Sequence, residues 1–248
     1  MNGALAAVVV APGLALGSFL NVVISRLPLR RSIVSPGSSC TSCGEPVAWR
    51  DNVPVLSYVL LRGRCRSCGT RIGWQYPVVE IVTAALLVAC ALRFGLTGRA
   101  LVAGFFCAVL VAISAIDIEH RIVPNRIVLP AAAVVLAAQT ALHPSPEWAI
   151  ASLGGALFLF IAVLAYPKGM GMGDVKLALL LGAAVGRSVP VALMVAMLAA
   201  LVPAVVLFAR HGAAARKHAI PFAPFLALGG IVALFAGREL LDAYLSLL

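Results

Sequence analysis

The chain has 248 residues, of which 62% are hydrophobic and only 11% are charged, and its mean hydropathy is +1.05. Soluble globular domains are about half apolar and about a quarter charged, so this composition excludes an ordinary soluble protein. The formal net charge of +10 raises the question of nucleic-acid binding, which the positions of the basic residues answer below.

Eight apolar stretches follow one another along the chain, most of them near the roughly 20 residues that a membrane-spanning helix requires. The expected fold is therefore an all-α polytopic membrane protein with about eight transmembrane helices. The apolar helix faces leave the oligomeric state open, because contact with lipid and contact with protein select similar residues. We predict spans at residues 3–25, 77–95, 99–117, 126–143, 149–166, 174–188, 190–209 and 220–237, the sixth of them short and the last able to run on toward Leu248.

The lysines and arginines indicate how these spans are oriented. No basic residue precedes the first span, whereas Arg26, Arg30 and Arg31 follow it, which favours an anchor with its N-terminus outside over a cleaved signal peptide. With eight crossings, 15 of the 19 basic residues fall on the cytoplasmic side. This asymmetry follows the positive-inside rule, so the basic excess indicates topology and argues against nucleic-acid binding.

Residues 26–76 form the one polar segment long enough to fold by itself, and its cysteines are spaced C-x2-C-x21-C-x2-C. Thiolates two residues apart can bind one tetrahedral ion, and thiols on the cytoplasmic side stay reduced. A redox pair or disulfides are the alternatives. We predict a structural zinc ion held by Cys40, Cys43, Cys65 and Cys68.

The predicted domains follow from these segments. Cys90 and Cys107 lie in apolar spans and are expected to be small buried side chains. We expect a first transmembrane helix at 1–25, a cytoplasmic zinc-binding domain at 26–76, a second transmembrane helix and linker at 77–98, and a membrane core at 99–248.

Two aspartates lie at the ends of predicted spans. Asp117 closes the third span, and Asp174 opens the sixth directly after the stretch KGMGMG. A carboxylate near membrane depth costs about 2.5–3.5 kcal/mol on insertion scales, and the predicted topology brings both to the cytoplasmic face. Two close carboxylates share a proton and activate water in aspartic proteases. We predict such a dyad, with Asp174 as base because it begins a helix and Asp117 as acid because it ends one.

Four further residues are candidates for substrate binding. Gly171 and Gly173 would let an extended peptide approach the backbone before the sixth span. Lys176 could contact an acidic substrate side chain, tune the dyad or extend to the lipid headgroups. Glu80, near the start of the second span, could bind substrate or a methyl acceptor, or form an ion pair with a loop arginine.

The sequence resembles the type IV prepilin leader peptidases, a family of bacterial membrane aspartic endopeptidases with a GxGD motif. Asp117 and Asp174 match the catalytic aspartates of that family, and the four cysteines match its zinc knuckles. Two residues depart from the pattern: Asn125 stands where relatives often have Asp, and Ala223 where they often have Gly. The similarity lies in six ordered blocks: GSFLNVVISRLP, the CxxC pairs with NVPVLSYVLLRGRC between them, RIGWQYPVVEIVTA, IDIEHRIVPNRI, GMGDVKLALLLGAAVG and IPFAPFLALGGI.

The resemblance implies a multi-pass protein of the bacterial inner membrane with its active site facing the cytoplasm. The implied substrates are prepilins or pseudopilins, whose short basic leader is cut after a glycine at the membrane surface. Bifunctional relatives then methylate the new N-terminus with S-adenosylmethionine. Residues 26–76 carry no glycine-rich nucleotide-binding loop, so methylation is an expectation from the resemblance alone.

Three other functions were weighed. A proton- or cation-coupled transporter using the aspartate pair would place it at the bilayer midplane and show an internal repeat, and no convincing repeat is present. A scaffold protein would tolerate loss of either aspartate. A different GxGD intramembrane protease would cut a deeper bond, and the zinc segment and the PFAPF block argue against it.

Overall fold

The computed structural model describes residues 2–167, 170–212 and 220–246. In these residues the chain forms helices and contains no β-strand, which confirms the all-α expectation. Short 3-10 turns occupy Trp49–Asp51 and Gly186–Ser188. The helices are α1 (Asn2–Arg26), α2 (Leu56–Leu60), α3 (Gln75–Phe94), α4 (Gly98–His120), α5 (Asn125–Leu142), α6 (Glu147–Ala165), α7 (Met172–Val185), α8 (Val189–His211) and α9 (Ala223–Leu245).

In the described part of the chain, seven helical segments are long and apolar enough to cross a membrane. The longest, Met172–His211, has 40 residues and is divided at Gly186 into α7 and α8, which restores the eight predicted helices. The predicted limits agree with the observed ones to within three residues, except that α9 continues to Leu245. The polytopic membrane fold is confirmed.

The chain divides into two compact units, Met1–Ala112 and Ile113–Leu248. In the first unit, α1 packs antiparallel against α3. A Cβ on Gly17 would lie 2.6 Å from the Cα of Glu80, and Asn21 Nδ2 donates a hydrogen bond to the carbonyl of Tyr76 at 3.0 Å. Within a membrane no hydrophobic force drives helices together, so association depends on close packing, which small residues allow.

In the second unit α7 is the central helix, with nine of its fourteen residues buried. It runs alongside α5 in the same direction. Lys176 bonds Asn125 near the N-terminal ends of the two helices, and Gln139 Nε2 donates to the carbonyl of Ala184 at 3.0 Å near their C-terminal ends.

Helix α6 lies antiparallel against α7. The Ser152 hydroxyl donates to the carbonyl of Leu179 at 2.8 Å, and a Cβ on Gly182 would collide with the carbonyl oxygen of Ala151. The absence of a side chain at Gly182 thus sets the distance between the two helices.

The chain reverses after α7. Gly186 adopts φ 56°, a left-handed conformation that glycine accepts without steric cost and that ends the helix. Helix α8 then returns antiparallel to α9, since Gly229 packs on Ala192 and Gly237 packs on Ser188. This alternation brings the C-terminal end of α4 and the N-terminal ends of α5, α7 and α9 to one end of the unit.

Candidate active site

Asp174 lies in the first turn of α7, where a reciprocal pair of hydrogen bonds fixes it. Its backbone N–H donates to the carbonyl of Gly171 at 3.1 Å, and the Gly171 N–H donates to its Oδ2 at 3.3 Å. This arrangement caps the helix. The residue is only 9% exposed, so α7 holds a carboxylate at its N-terminus, where the helix dipole favours negative charge.

Asp117 lies one turn before the C-terminal end of α4 and is 6% exposed. Its Oδ2 accepts a hydrogen bond from the backbone N–H of Ala223 at 3.2 Å. Ala223 begins α9, so this carboxylate faces the N-terminus of a helix other than its own. The α9 dipole therefore offsets the unfavourable dipole that the sequence predicted for Asp117 at the end of α4.

The two carboxyl groups belong to the same unit and lie at the same end of it. Each accepts a backbone N–H at a helix N-terminus, which leaves further oxygen lone pairs for a proton, a water or a substrate. Two partly buried carboxylates in this relationship can bind and polarise a water molecule.

The glycines before Asp174 play two different roles. Gly173 lies against α4–α5 connecting residues, because a Cβ there would be 2.8 Å from the Cβ of Val123. Gly171 has φ −87°, which any residue adopts, and a Cβ there would meet no atom closer than 3.8 Å. The close approach at this turn is therefore made by the Val123 side chain at Gly173, whereas a Cβ at Gly171 would make ordinary van der Waals contacts with described residues. Lys168 and Gly169 of the same stretch lie outside the described residues.

Lys176 is linked to α5 rather than to the aspartates. Its Nζ donates a hydrogen bond to Asn125 Oδ1 at 2.9 Å, on the exposed surface at the end of the unit that carries the aspartates. Asn125 is the first residue of α5. The position at which this chain departs from the family pattern is thus the hydrogen-bond partner of a lysine two residues from Asp174.

Two partners of the site were missed from the sequence, the N–H of Ala223 and the side chain of Val123. Ala223 lies in the PFAPF block, to which the sequence assigned no role. Val123 precedes Pro124, the residue before α5. Neither contact has a sequence signal of its own, because both depend on how distant helices meet.

In the first unit the four predicted metal ligands converge. The Sγ atoms of the cluster, from Cys40, Cys43, Cys65 and Cys68, all lie within 4.8 Å of one another, and those of Cys40 and Cys68 are 3.8 Å apart. A tetrahedral ion with Zn–S bonds of about 2.3 Å holds its sulfurs about 3.8 Å apart. The donor set and its spacing therefore fit a single tetrahedral metal ion.

The two CxxC turns of the cluster have the same backbone structure. The N–H of Gly44 donates to the carbonyl of Cys40 at 2.9 Å, and the N–H of Gly69 donates to that of Cys65 at 3.0 Å. Both glycines have positive φ, 73° and 69°, which aims each pair of thiols at a common point. The hydrogen bond to the Thr70 hydroxyl, with its backbone N–H, lowers the pKa of the Cys68 thiol to about 6, which favours the thiolate that a metal requires.

Glu80 belongs to the unit with the cysteine cluster and not to the unit with the aspartates. It is buried in α3, and its Oε2 accepts a hydrogen bond from the backbone N–H of Val55 at 2.7 Å. A Cβ on Gly17 of α1 would lie 2.6 Å from the Cα of Glu80. The contacts of Glu80 are therefore structural ones that join α1, α3 and the segment before α2. Cys90 and Cys107 are buried as expected, with Sγ atoms 3.9 Å apart.

Comparison with known families agrees with this organisation. The Bacterial Peptidase A24 N-terminal domain matches residues 11–94, and the Type IV leader peptidase family matches residues 104–208. The fold and the two matches define the class as a multi-pass peptidase of the bacterial inner membrane. The chain belongs to the type IV leader peptidase family.

Several relatives are similar over nearly the whole chain. A protein of Bacillus subtilis (strain 168) is 36% identical, with 95% of this chain and 96% of the relative covered. One of Pseudomonas putida is 35% identical over 95% of this chain and 92% of the relative, and one of Burkholderia pseudomallei (strain 1026b) is 35% identical over 91% and 83%. All three are named prepilin leader peptidase/N-methyltransferase. No solved structure matches the chain.

Proposed function

We propose that this protein is an aspartic endopeptidase that removes the short basic leader from type IV prepilins or pseudopilins at the cytoplasmic face of the membrane. The observation that carries the proposal is that Asp117 and Asp174 are both buried at the same end of one helical unit. Family membership supports the substrate class. A transporter finds no support, since its carboxylates would lie at midplane.

In the proposed reaction the two aspartates share one proton. The ionised carboxylate takes a proton from a bound water, and the resulting hydroxide attacks the carbonyl carbon of the scissile amide. The protonated carboxyl gives its proton to the carbonyl oxygen. The carboxyl that took the water proton then gives it to the departing nitrogen, and the other carboxylate takes a proton from a hydroxyl of the tetrahedral intermediate as the C–N bond breaks, which restores the shared proton of the dyad.

We assign Asp174 as the base and Asp117 as the acid. Asp174 begins its own helix and is held by the reciprocal bonds with Gly171, so its environment favours the anion. Asp117 likewise accepts one backbone N–H, that of Ala223, so the assignment follows from the position of each aspartate in its own helix and not from the number of hydrogen bonds. Because a coupled pair titrates as a unit, the assignment describes the dominant protonation state of the dyad.

Substrate binding is proposed at Gly171, where an extended peptide would lie with its cleaved bond near Asp174. Gly173 contributes by fixing the start of α7 against Val123. Lys176 would contact an acidic side chain of the substrate. Its hydrogen bond to Asn125 holds it at the end of the unit that carries the aspartates.

The cysteine cluster is proposed to hold a structural zinc ion within a cytoplasmic domain at 26–76. A bound ion would lock the two CxxC turns together, and four thiolate ligands leave no open coordination position for hydrolysis. The remaining proposed divisions are the first helix at 1–25, the second helix and linker at 77–98, and the peptidase core at 99–248. The N-terminus is proposed to lie outside, since that orientation places the basic loops inside.

Methylation of the new N-terminus with S-adenosylmethionine is proposed as a second activity on the strength of the names of the relatives. Glu80 would act in it by holding the segment before α2 in place. Transfer of a labelled methyl group from S-adenosylmethionine to a cleaved prepilin tests this activity separately from cleavage.

Cleavage is tested by co-expression with a prepilin and by following leader removal on gels. Asp117→Asn and Asp174→Asn keep the shape of the side chain but remove its charge and proton transfer, so each should lower the cleavage rate by about 10²–10⁴-fold. Uncut prepilin in the presence of the native protein would refute the peptidase, and full activity of either variant would refute the dyad. Asp242→Asn, at the opposite end of α9, is the matched control and should cleave normally.

A further inference from the structure

Helix α2 exposes its apolar side chains and buries a polar one, which is the opposite of a surface helix in a soluble protein. Leu56, Val59 and Leu60 share one face by their spacing of three and four residues, and they are 55%, 63% and 71% exposed. The polar Ser57 is buried on the other side, where its hydroxyl donates to the carbonyl of Arg50 at 3.0 Å. The outward face of α2 is therefore entirely apolar.

The position of α2 along the membrane normal follows from its link to α3. The residue before α2, Val55, donates its N–H to the carboxylate of Glu80 at 2.7 Å, and Glu80 lies in the second turn of α3. At the same level α3 already presents exposed apolar side chains, Val78 and Ile81. The segment that starts α2 is thus held at the depth at which α3 meets lipid.

The link is rigid because the chain turns sharply at this point. Val55 has φ 60° and ψ −49°, and the N–H of Leu56 donates to the carbonyl of Pro54 at 2.6 Å, which together form a γ-turn. This conformation is rare and strained for a β-branched residue, and it persists only where its surroundings fix it. Glu80 supplies that constraint from α3, where Gly17 of α1 packs directly against its backbone.

Basic side chains and a tryptophan accompany this face. Arg62 and Arg64 directly follow α2, and Arg71 pairs with Arg64 through an isolated β-bridge. All three are exposed. Trp74, 74% exposed, directly precedes α3, a position typical of the aromatic residues found at membrane interfaces.

We propose that α2 is an interfacial helix, with Leu56, Val59 and Leu60 inserted at the boundary between headgroups and acyl chains of an anionic lipid leaflet. Lipid is the occupant that fits, because the apolar face lies at the lipid-contacting level of α3 and is flanked by exposed arginines. Apolar side chains combined with neighbouring basic ones bind anionic membrane surfaces. The cysteine-cluster segment would then be attached to the membrane at a third point besides α1 and α3.

Photocrosslinking in the full-length protein tests the proposal. The photoreactive residue p-benzoylphenylalanine replaces Leu60 in one variant and Tyr58 in another, and each protein is reconstituted into vesicles of phosphatidylethanolamine and phosphatidylglycerol. Tyr58 is the matched control, because it lies on the inner side of the same helix and packs against Gly63. Mass spectrometry identifies the adducts.

The expected result is lipid adducts at Leu60 in several-fold excess over Tyr58, with a lower yield when phosphatidylcholine replaces phosphatidylglycerol. Adducts of Leu60 with a second copy of the chain, or with a co-reconstituted prepilin in place of lipid, would overturn the proposal. So would an equal lipid yield at the two positions. Equal yields in the two lipid mixtures would overturn the anionic preference. Since the assay requires no cleavage, its outcome is independent of the peptidase proposal.

Discussion

At Gly173 the start of α7 touches the segment between α4 and α5 so closely that a Cβ would lie 2.8 Å from the Cβ of Val123. Real Cβ atoms do not approach so closely, so any side chain there must displace one of the two segments. Asp174 is the next residue, and Asp117 lies on the helix that leads to Val123. The glycine therefore contributes to the spacing of the two aspartates through packing, whatever it contributes to substrate binding.

We expect Gly173→Ala to lower the rate of prepilin cleavage strongly, because a small shift of a catalytic group can cost about 10²-fold in rate. The loss of thermal stability should be the smaller effect. Prepilin cleavage rates and thermal unfolding in detergent measure the two effects. The double variant Gly173→Ala with Val123→Gly removes the Cβ that a side chain at position 173 would meet and should recover much of the activity. A double variant no better than the single one would contradict the packing role.

At the scale of the element, α7 carries Asp174 and packs closely against α6 at Gly182, where a Cβ would collide with the carbonyl oxygen of Ala151. The backbone carbonyl cannot rotate away as a side chain would. The whole of α7 must move if this contact is filled, and Asp174 moves with it.

Gly182→Ala is therefore expected to destabilise the protein by about 1–3 kcal/mol, the usual cost of overpacking, and to reduce cleavage. The matched control is Gly154→Ala in α6, where a Cβ would meet no atom within 4 Å. Thermal unfolding midpoints of the three proteins in the same detergent provide the measurement. Equal midpoints for the two variants would show that α6 and α7 are not as close as described.

At the scale of the whole molecule, metal content tests the cysteine cluster. The purified protein should contain about one zinc per chain, and Cys40→Ser combined with Cys65→Ser should remove it, since one ligand of each CxxC turn is lost. Inductively coupled plasma mass spectrometry measures the metal. Cys90→Ala, in α3, should keep its zinc, and circular dichroism should show the membrane helices intact in both variants. Retention of zinc by the double variant would refute the site.

Epitope insertion tests the orientation of the molecule in the membrane. A tag placed between Pro144 and Ser145, in the connection of α5 to α6, should bind antibody on intact spheroplasts. A tag placed after Pro36, before the cysteine cluster, should bind antibody only after permeabilisation, because the basic loops are retained inside. The reverse pattern would place the aspartates on the outer face and remove the proposed access of a prepilin leader to them.

Much of the fold could be predicted because its signals are local. A run of about 20 apolar residues specifies a spanning helix wherever it occurs, and the C-x2-C spacing brings two thiols together within one turn. The same locality explains the one imprecise limit, the end of α9. Its last turns, up to Leu245, carry Arg238, Glu239 and Asp242, and these charges weaken the hydropathy signal without interrupting the helix.

The sequence alone determined the helices, the alternation that brings Asp117 and Asp174 to one end, and the ligand set of the cysteine cluster. Three contacts could be seen only in the tertiary structure. The N–H of Ala223 donates to Asp117, 106 residues away. The Val123 side chain packs against Gly173, and the Glu80 carboxylate accepts the N–H of Val55. The physical reason is that these helices are apolar over most of their surface. Hydrophobicity therefore places these helices in a membrane but does not determine which helix faces pack together. The packing is determined by close contacts at single glycines and by the pairing of a few buried polar groups.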